Sequence, residues 1–256
     1  MTDAARALAG RAALVTGASS GIGRAIALAA ARAGADVAMT YRANEEGAQA
    51  AAREIRALGR RAAVIRLDLA DRESIRALGP AARDALGRLD VWVNNAGADI
   101  LTGAAAAMTD VEKLDLLLAV DLRGTILASW HAAELFRSQR DGGVIINMSW
   151  DHVIAGMPGI NPQMYAAVKG GVLAFSKSLA RSVAPGIRVN VLAPGWIETS
   201  FGAGLDDETR RTVAESTPLG RWGTPDDVAG AAVFLASPAA AFLTGQTIFV
   251  GGGAVM

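Results

Sequence analysis

The sequence contains no cysteine, which excludes disulfide staples, a thiol nucleophile and cysteine-ligated zinc. Histidine occurs only twice, and no His, Asp and Glu cluster has metal-ligand spacing, so no catalytic metal is expected. Aromatic residues make up 5% of the chain and only two are tyrosine. A reaction that needs a phenol therefore has two candidates, Tyr41 and Tyr165. Neither sign of charge dominates: 25 basic residues face 25 acidic ones, for a formal net charge of zero. That leaves no electrostatic footprint for nucleic acid or an anionic membrane surface. No apolar run approaches the roughly 18 residues of a membrane span. Met1–Gly10 is short, mixed and charged, without the apolar core of a signal peptide. The expectation is a soluble, cytoplasmic protein.

What is abundant is alanine and glycine: 52% of the 256 residues are hydrophobic and 29 are glycine, which suits closely packed helices in one sizeable core. Strand-like apolar runs fall at Ala12–Val15, Asp36–Tyr41, Ala62–Leu67, Leu89–Val93, Gly143–Met148, Ile187–Leu192 and Gln246–Val250. Helical patterns begin inside the turn after Ala12–Val15 and recur at Asn44–Leu58, Asp71–Leu86, Asp110–Gln139 (bent near Gly124), Gln163–Val183, Asp206–Glu215 and Pro225–Ala236. Alternation of this kind predicts an α/β fold. It is a Rossmann-type, doubly wound parallel sheet of about seven strands, with helices on both faces. No repeat or linker breaks it, so residues 1–256 read as one domain.

Two places could carry chemistry. At Thr16-Gly-Ala-Ser-Ser-Gly-Ile-Gly23, Gly17, Gly21 and Gly23 sit on the first strand–helix junction. Free N–H groups at a helix start, approached closely because Cβ atoms are missing, make an anion site. At Tyr165-Ala-Ala-Val-Lys169 the spacing of four puts phenol and ammonium on one helix face. A neighbouring cation favours phenolate and draws the Tyr165 pKa down, giving a general acid–base for a carbonyl or an alcohol.

With these motifs and Asn94-Asn-Ala-Gly97, the sequence resembles the short-chain dehydrogenases/reductases over about Ala12 to Gly253. Within the family it looks similar to the 3-oxoacyl-carrier-protein reductase and glucose dehydrogenase group. The resemblance implies that Gly17, Ser19, Ser20, Gly21, Ile22 and Gly23 form the cofactor turn. It places Asp68 and Leu69 against the adenine and has Asn95, Ala96 and Gly97 border the cofactor. After the sixth strand it sets Pro194 and Gly195, then Ile197 and Thr199 beside the nicotinamide carboxamide. The implied reaction is hydride transfer between a nicotinamide and a carbonyl or secondary alcohol. Tyr165 would act as acid–base and Lys169 would bind the nicotinamide ribose. A homotetramer is implied too.

The sequence departs from the family pattern twice. The family's substrate-oxygen serine stands thirteen residues before its tyrosine, as the second Ser of an Asn-x-Ser-Ser run. Here Asn147-Met148-Ser149-Trp150 puts Trp150 at that place, whereas the count puts His152 there, as if the loop held two extra residues. Ser149 is taken as the holder of the substrate oxygen, with His152 as the alternative. Asp121, in Val120-Asp-Leu-Arg-Gly124, stands where the family has the Asn of its proton relay.

Cofactor choice turns on the end of the second strand. A carboxylate there suits ribose hydroxyls, and a cation suits a 2′-phosphate. Tyr41-Arg42 occupies that corner, so Arg42 favours NADP(H) over NAD(H). Trp150–Pro162 and a substrate lid around residues 198–218, with Gly202 and Gly204, would set specificity. The competing readings are a sugar or polyol dehydrogenase, and a nucleotide-binding protein with little catalysis. The intact Tyr165 and Lys169 argue against the latter.

Overall fold

Short apolar runs without alternation are what a strand covered on both faces requires, and the chain uses them that way. The computed structural model describes residues 6–200 and 204–255. Seven strands form one parallel sheet: β1 (Ala12–Val15), β2 (Asp36–Tyr41), β3 (Ala62–Arg66), β4 (Val91–Asn94), β5 (Gly143–Met148), β6 (Ile187–Pro194) and β7 (Thr247–Val250). Their order is β3-β2-β1-β4-β5-β6-β7. The register pairs Ala12 with Asp36, Val15 with Val93 and Asn94 with Asn147.

Successive strand residues point to opposite faces, and the two faces have separate cores. Ala13, Val15, Val37, Met39, Val93 and Ile146 pack under α1 (Gly21–Arg32), α2 (Glu45–Ala57) and α9 (Pro225–Ala236). Ala12, Leu14, Ala38, Trp92, Ile145 and Val189 pack under α3 (Arg72–Leu86), α5 (Thr125–Arg137) and α7 (Ile160–Val183). The doubly wound α/β fold expected from the alternation is the one observed. The remaining helices are α4 (Asp110–Leu117), α6 (His152–Ala155) and α8 (Asp207–Ser216). Asn44 caps α2 by accepting the Gly47 N–H at 2.9 Å, as its position suggested.

The differences from the sequence reading are local. The predicted helix over 110–139 divides into α4, a π turn at Leu118–Gly124 and α5. Gly124 closes that turn because a Cβ there would lie 2.9 Å from both the Leu69 Cβ and its carbonyl oxygen. α7 starts at Ile160, not Gln163, since Pro162 falls in its first turn, where a missing N–H costs nothing. The short α6 carries no sequence signal of its own. Among the described residues no helix is long and apolar enough to cross a membrane.

Candidate active site

Because all seven strands are parallel, every loop that leaves a strand end lies along one edge of the sheet. The order of strand addition reverses between β1 and β4, and ligands of open α/β sheets bind in the crevice outside that point. The glycine turn lies there, tied on both sides. Thr40 Oγ1 accepts the Gly17 N–H at 3.0 Å, and Thr16 Oγ1 accepts the N–H groups of Asn95 and Ala96, each at 3.0 Å. Asn95 Nδ2 donates to the carbonyls of Thr16 and Gly17 at 3.0 and 3.2 Å. Gly17 has φ +65° and faces the Ala96 Cα, while a Cβ on Gly23 would run into the Gly17 carbonyl and the Asn95 amide. Ser20 occupies the N-cap of α1 without a side-chain cap bond, and the first turn holds no acidic residue. The start of α1 thus brings helix N–H groups to the crevice edge without a carboxylate, which suits a pyrophosphate. Gly47 is a partner the sequence reading missed: a Cβ there would lie 2.5 Å from the Ser19 carbonyl oxygen.

Next along the edge is the phenol. Lys169 reaches Tyr165 from the next turn of α7, with Nζ 5.3 Å from the ring centroid and hydrogen-bonded to the hydroxyl. The π turn swings Asp121 under this pair. Its Oδ1 lies 2.8 Å from Lys169 Nζ, and Oδ2 accepts the Ala98 N–H at 2.8 Å. Gly97 leaves the room, since a Cβ there would come within 2.6 Å of Asp121 Oδ1. Burial disfavours the Lys169 cation, yet Asp121 and Tyr165 outweigh it and hold its pKa well above the usual lysine value. For Tyr165, burial pushes the phenol up, Lys169 pulls it down and Asp121 pushes it up again; the net shift is upward. The sequence reading expected Lys169 to bring this pKa down. Its pull is present but outweighed by burial and by a second charge.

The segment after β5 holds the first departure, at Ser149, Trp150 and His152. Ser149 is buried and its hydroxyl donates to the Lys169 carbonyl at 2.9 Å, joining the strand end to α7. The Trp150 ring meets Tyr165 edge-on, with centroids 5.3 Å apart and planes at 65°. Asp151 is fully buried and bonds His152 Nδ1 at 2.6 Å. Below them, Asn94 Nδ2 donates to Ser129 and Asn147 at 3.0 and 2.8 Å, and Asn147 donates to Ser176 at 2.9 Å, so buried amides fix the strand ends.

β6 runs on through Pro194, and Gly195 donates to the Val250 carbonyl at 3.1 Å. Ile197 is buried and bridges Gly223, which brings Thr199 to ordinary contact distance, 3.5 Å, of where a Gly21 Cβ would lie. The stretch expected to flank a nicotinamide and the glycine turn are thus together. Within the expected lid, Gly202 lies outside the described residues. α8 is held through Trp222, whose Nε1 donates to the Arg210 carbonyl at 2.9 Å, and through the buried Val213. At the far end of the crevice Leu69 is buried and Asp68 Oδ1 accepts the Ala70 N–H at 2.9 Å. Arg42 is exposed just beyond β2, and Arg66 pairs with Tyr41 across the β2–β3 ladder. One acid does reach this corner: Glu45, from the start of α2, accepts a hydrogen bond from the Tyr41 hydroxyl. Among the described residues no three His, Asp or Glu side chains gather as a metal site.

Residues 17–255 match the family model described as enoyl-(acyl carrier protein) reductase. The 3-oxoacyl-acyl-carrier-protein reductase FabG of Vibrio harveyi is 41% identical over 251 residues, covering 97% of this chain and 99% of that protein. A short-chain dehydrogenase of Burkholderia cenocepacia, solved with NADP, superposes with a TM-score of 0.86 at 36% identity, covering 96% of this chain and 98% of that one. A 7α-hydroxysteroid dehydrogenase solved with NADH and 7-oxo glycochenodeoxycholic acid superposes with a TM-score of 0.88 at 32% identity, over 99% and 97% of the two chains.

Proposed function

The chain belongs to the short-chain dehydrogenase/reductase family, as an oxidoreductase acting on the CH–OH/C=O pair, and from that premise we propose an NADP(H)-dependent carbonyl reductase that uses Tyr165 as its acid–base. The observation that carries this reading is the half-buried Tyr165 phenol against the buried Lys169–Asp121 ion pair, beside a glycine turn that a Cβ would fill. The bound nicotinamide would supply a hydride to the carbonyl carbon. As charge develops on the oxygen, Tyr165 gives it the phenolic proton, and the alcohol forms while the phenolate rests against the Lys169 ammonium. Gly17, Ser19, Ser20, Gly21, Ile22 and Gly23 would hold the pyrophosphate, and Asp68 and Leu69 would border the adenine. Asn95, Ala96, Gly97, Lys169, Pro194, Gly195, Ile197 and Thr199 would line the nicotinamide half. Arg42, with Arg66 beside it, would take the 2′-phosphate as a charge-assisted pair. The lid around 198–218 would close over the substrate.

The test is consumption of NADPH and of NADH with ethyl acetoacetate, cyclohexanone, phenanthrenequinone and a β-ketoacyl thioester. Turnover with NADPH and at least one carbonyl is expected. A protein inert toward all of them overturns the reading, and a preference for NADH overturns the role of Arg42.

Asp121→Asn has a signed consequence. Asparagine still accepts the Ala98 N–H but removes the charge that raises the Tyr165 pKa. Reduction needs the protonated phenol, so its activity is lost as pH rises through that pKa. In the variant the alkaline loss should therefore fall at lower pH than in the wild type, and oxidation of the alcohol should begin at lower pH. Superimposable pH–rate profiles would remove Asp121 from the site electrostatics.

We also infer a homotetramer. Trp130, 54% exposed, meets Phe175 edge-on at 6.3 Å on the outer side of α5 and α7, and Phe234, Phe242 and Phe249 are exposed around β7 and α9. Two exposed aromatic patches are what two distinct subunit contacts would cover. Light scattering at micromolar concentration should give four chains, and a monomer refutes the assembly.

A further inference from the structure

The substrate oxygen needs a second hydrogen-bond donor, and the Ser149 hydroxyl already gives its proton to the Lys169 carbonyl. We infer that His152 is a further catalytic residue, whose Nε2–H holds the substrate oxygen opposite Tyr165, and that buried Asp151 keeps the imidazole aimed. This rests on the reading above, in which the cleft reduces a carbonyl with Tyr165 as acid.

The first argument is the seat of Asp151. Its side chain has no exposure, while that of His152 keeps 16%, so the pair opens outward only through the imidazole. Asp151 Oδ1 is 2.6 Å from His152 Nδ1, but among the described residues Oδ2 has no hydrogen-bond partner. That oxygen lies in a notch between two glycines. A Cβ on Gly195 would come within 2.5 Å of it, and one on Gly251 would come closer still. A lone carboxylate in so dry a place would be costly. Burial pushes the Asp151 carboxyl up and His152 pulls it part of the way down. In the proposed state the pair carries one proton more than a carboxylate with neutral imidazole, as carboxylate with imidazolium or as carboxylic acid with neutral imidazole. Both forms occupy Nδ1 and leave an N–H at Nε2, and both are neutral overall. The cleft gains a donor without gaining a charge.

The second argument is aim. The His152 ring stacks on Trp150, with centroids 4.9 Å apart and planes at 21°, and meets Trp196 edge-on at 6.2 Å. The same Trp150 indole contacts Tyr165 at 5.3 Å. Imidazole and phenol are therefore held against one indole, and Trp196 comes from the stretch beside Ile197 that would flank the nicotinamide. Stacked on Trp150, met edge-on by Trp196 and tied at Nδ1, the ring is held in place, and the proposal makes Nε2 its working end. In reduction the carbonyl oxygen takes the Tyr165 proton and a hydrogen bond from Nε2–H; the imidazole keeps its proton throughout.

The experiment has two readouts. The chain has only two histidines, so ring signals of the 15N-histidine-labelled protein are assigned with His131→Gln and His152→Gln. A downfield Nδ1-bound proton is expected from His152, and the His152 Nε2 signal should move when cyclohexanone is added to the NADP+-loaded protein. In kinetics with the carbonyl the wild type reduces best, His152→Ala should lose about 100- to 1,000-fold in kcat. NADPH affinity, read by fluorescence, should not change, and added imidazole should restore part of the rate. Ser149→Ala should lose less than about tenfold. The proposal is overturned if His152→Ala stays within about threefold of wild type, or if Ser149→Ala carries the larger loss. It is also overturned if the His152→Ala loss resists imidazole, which marks a packing role. A wild type that reduces no carbonyl overturns the preceding reading instead, and this one with it.

Discussion

Tyr165→Phe is expected to lower carbonyl-reduction turnover by about 100- to 10,000-fold, the usual worth of a positioned general acid. That is about 3–5 kcal/mol of transition-state stabilisation. The substitution removes one oxygen and leaves the ring against Trp150, so the wall of the cleft should stand. Lys169 loses an acceptor but keeps Asp121 at 2.8 Å, and no buried charge is left unpaired. Folding and NADPH affinity should therefore stay near the wild-type values. The measurements are turnover with a carbonyl probe and NADPH binding by fluorescence. Near-full activity in the variant would end the phenol mechanism, because the other tyrosine, Tyr41, lies at the end of β2 with its hydroxyl bound to Glu45.

The second large effect is expected from Gly23→Ala, a change of one methyl group. The added carbon would collide with the Gly17 carbonyl and the Asn95 amide. Those same groups carry the two bonds by which Asn95 ties the turn to the end of β4. Backbone and a doubly engaged amide cannot yield as a flexible side-chain tip would. Overpacking of this kind costs about 1–3 kcal/mol, which appears as roughly a 5- to 150-fold weaker nucleotide if the turn distorts. It lowers Tm by roughly 2–12 °C if the cost falls on the fold. Gly230→Ala in α9 is the control, since nothing lies within 4 Å of a Cβ there. It should be neutral or slightly stabilising, as alanine suits a helix interior better than glycine. Wild-type affinity and wild-type melting together in Gly23→Ala would show that the close approach is not needed.

How much was legible in the sequence depends on the range of the physics involved. Strand and helix are local: an unbroken apolar run reads as a buried strand, and a spacing of three or four reads as a helix face. All seven strands were therefore expected where they lie, within about two residues at their ends. The glycine turn and the Tyr165–Lys169 pair are local as well, each contained in one junction or one helix turn. Order within the sheet follows from right-handed crossovers only as a class; the sequence β3-β2-β1-β4-β5-β6-β7 is observed.

What only the tertiary structure decided are meetings between residues far apart in the chain. The π turn at Leu118–Gly124 sets Asp121 under Lys169 because Leu69 crowds Gly124 and Gly97 leaves a gap. No periodicity encodes that coincidence. The same is true of Glu45 reaching Tyr41, and of Ser149 bonding the Lys169 carbonyl. Asp151 is the plainest case. In sequence it is an acid between Trp150 and His152, yet two glycines from the ends of β6 and β7 form a notch that buries it. Side-chain chemistry is written residue by residue, but burial and the pairing of charges are properties of the packed sheet edge. There, desolvation and a neighbouring charge decide which protons stay.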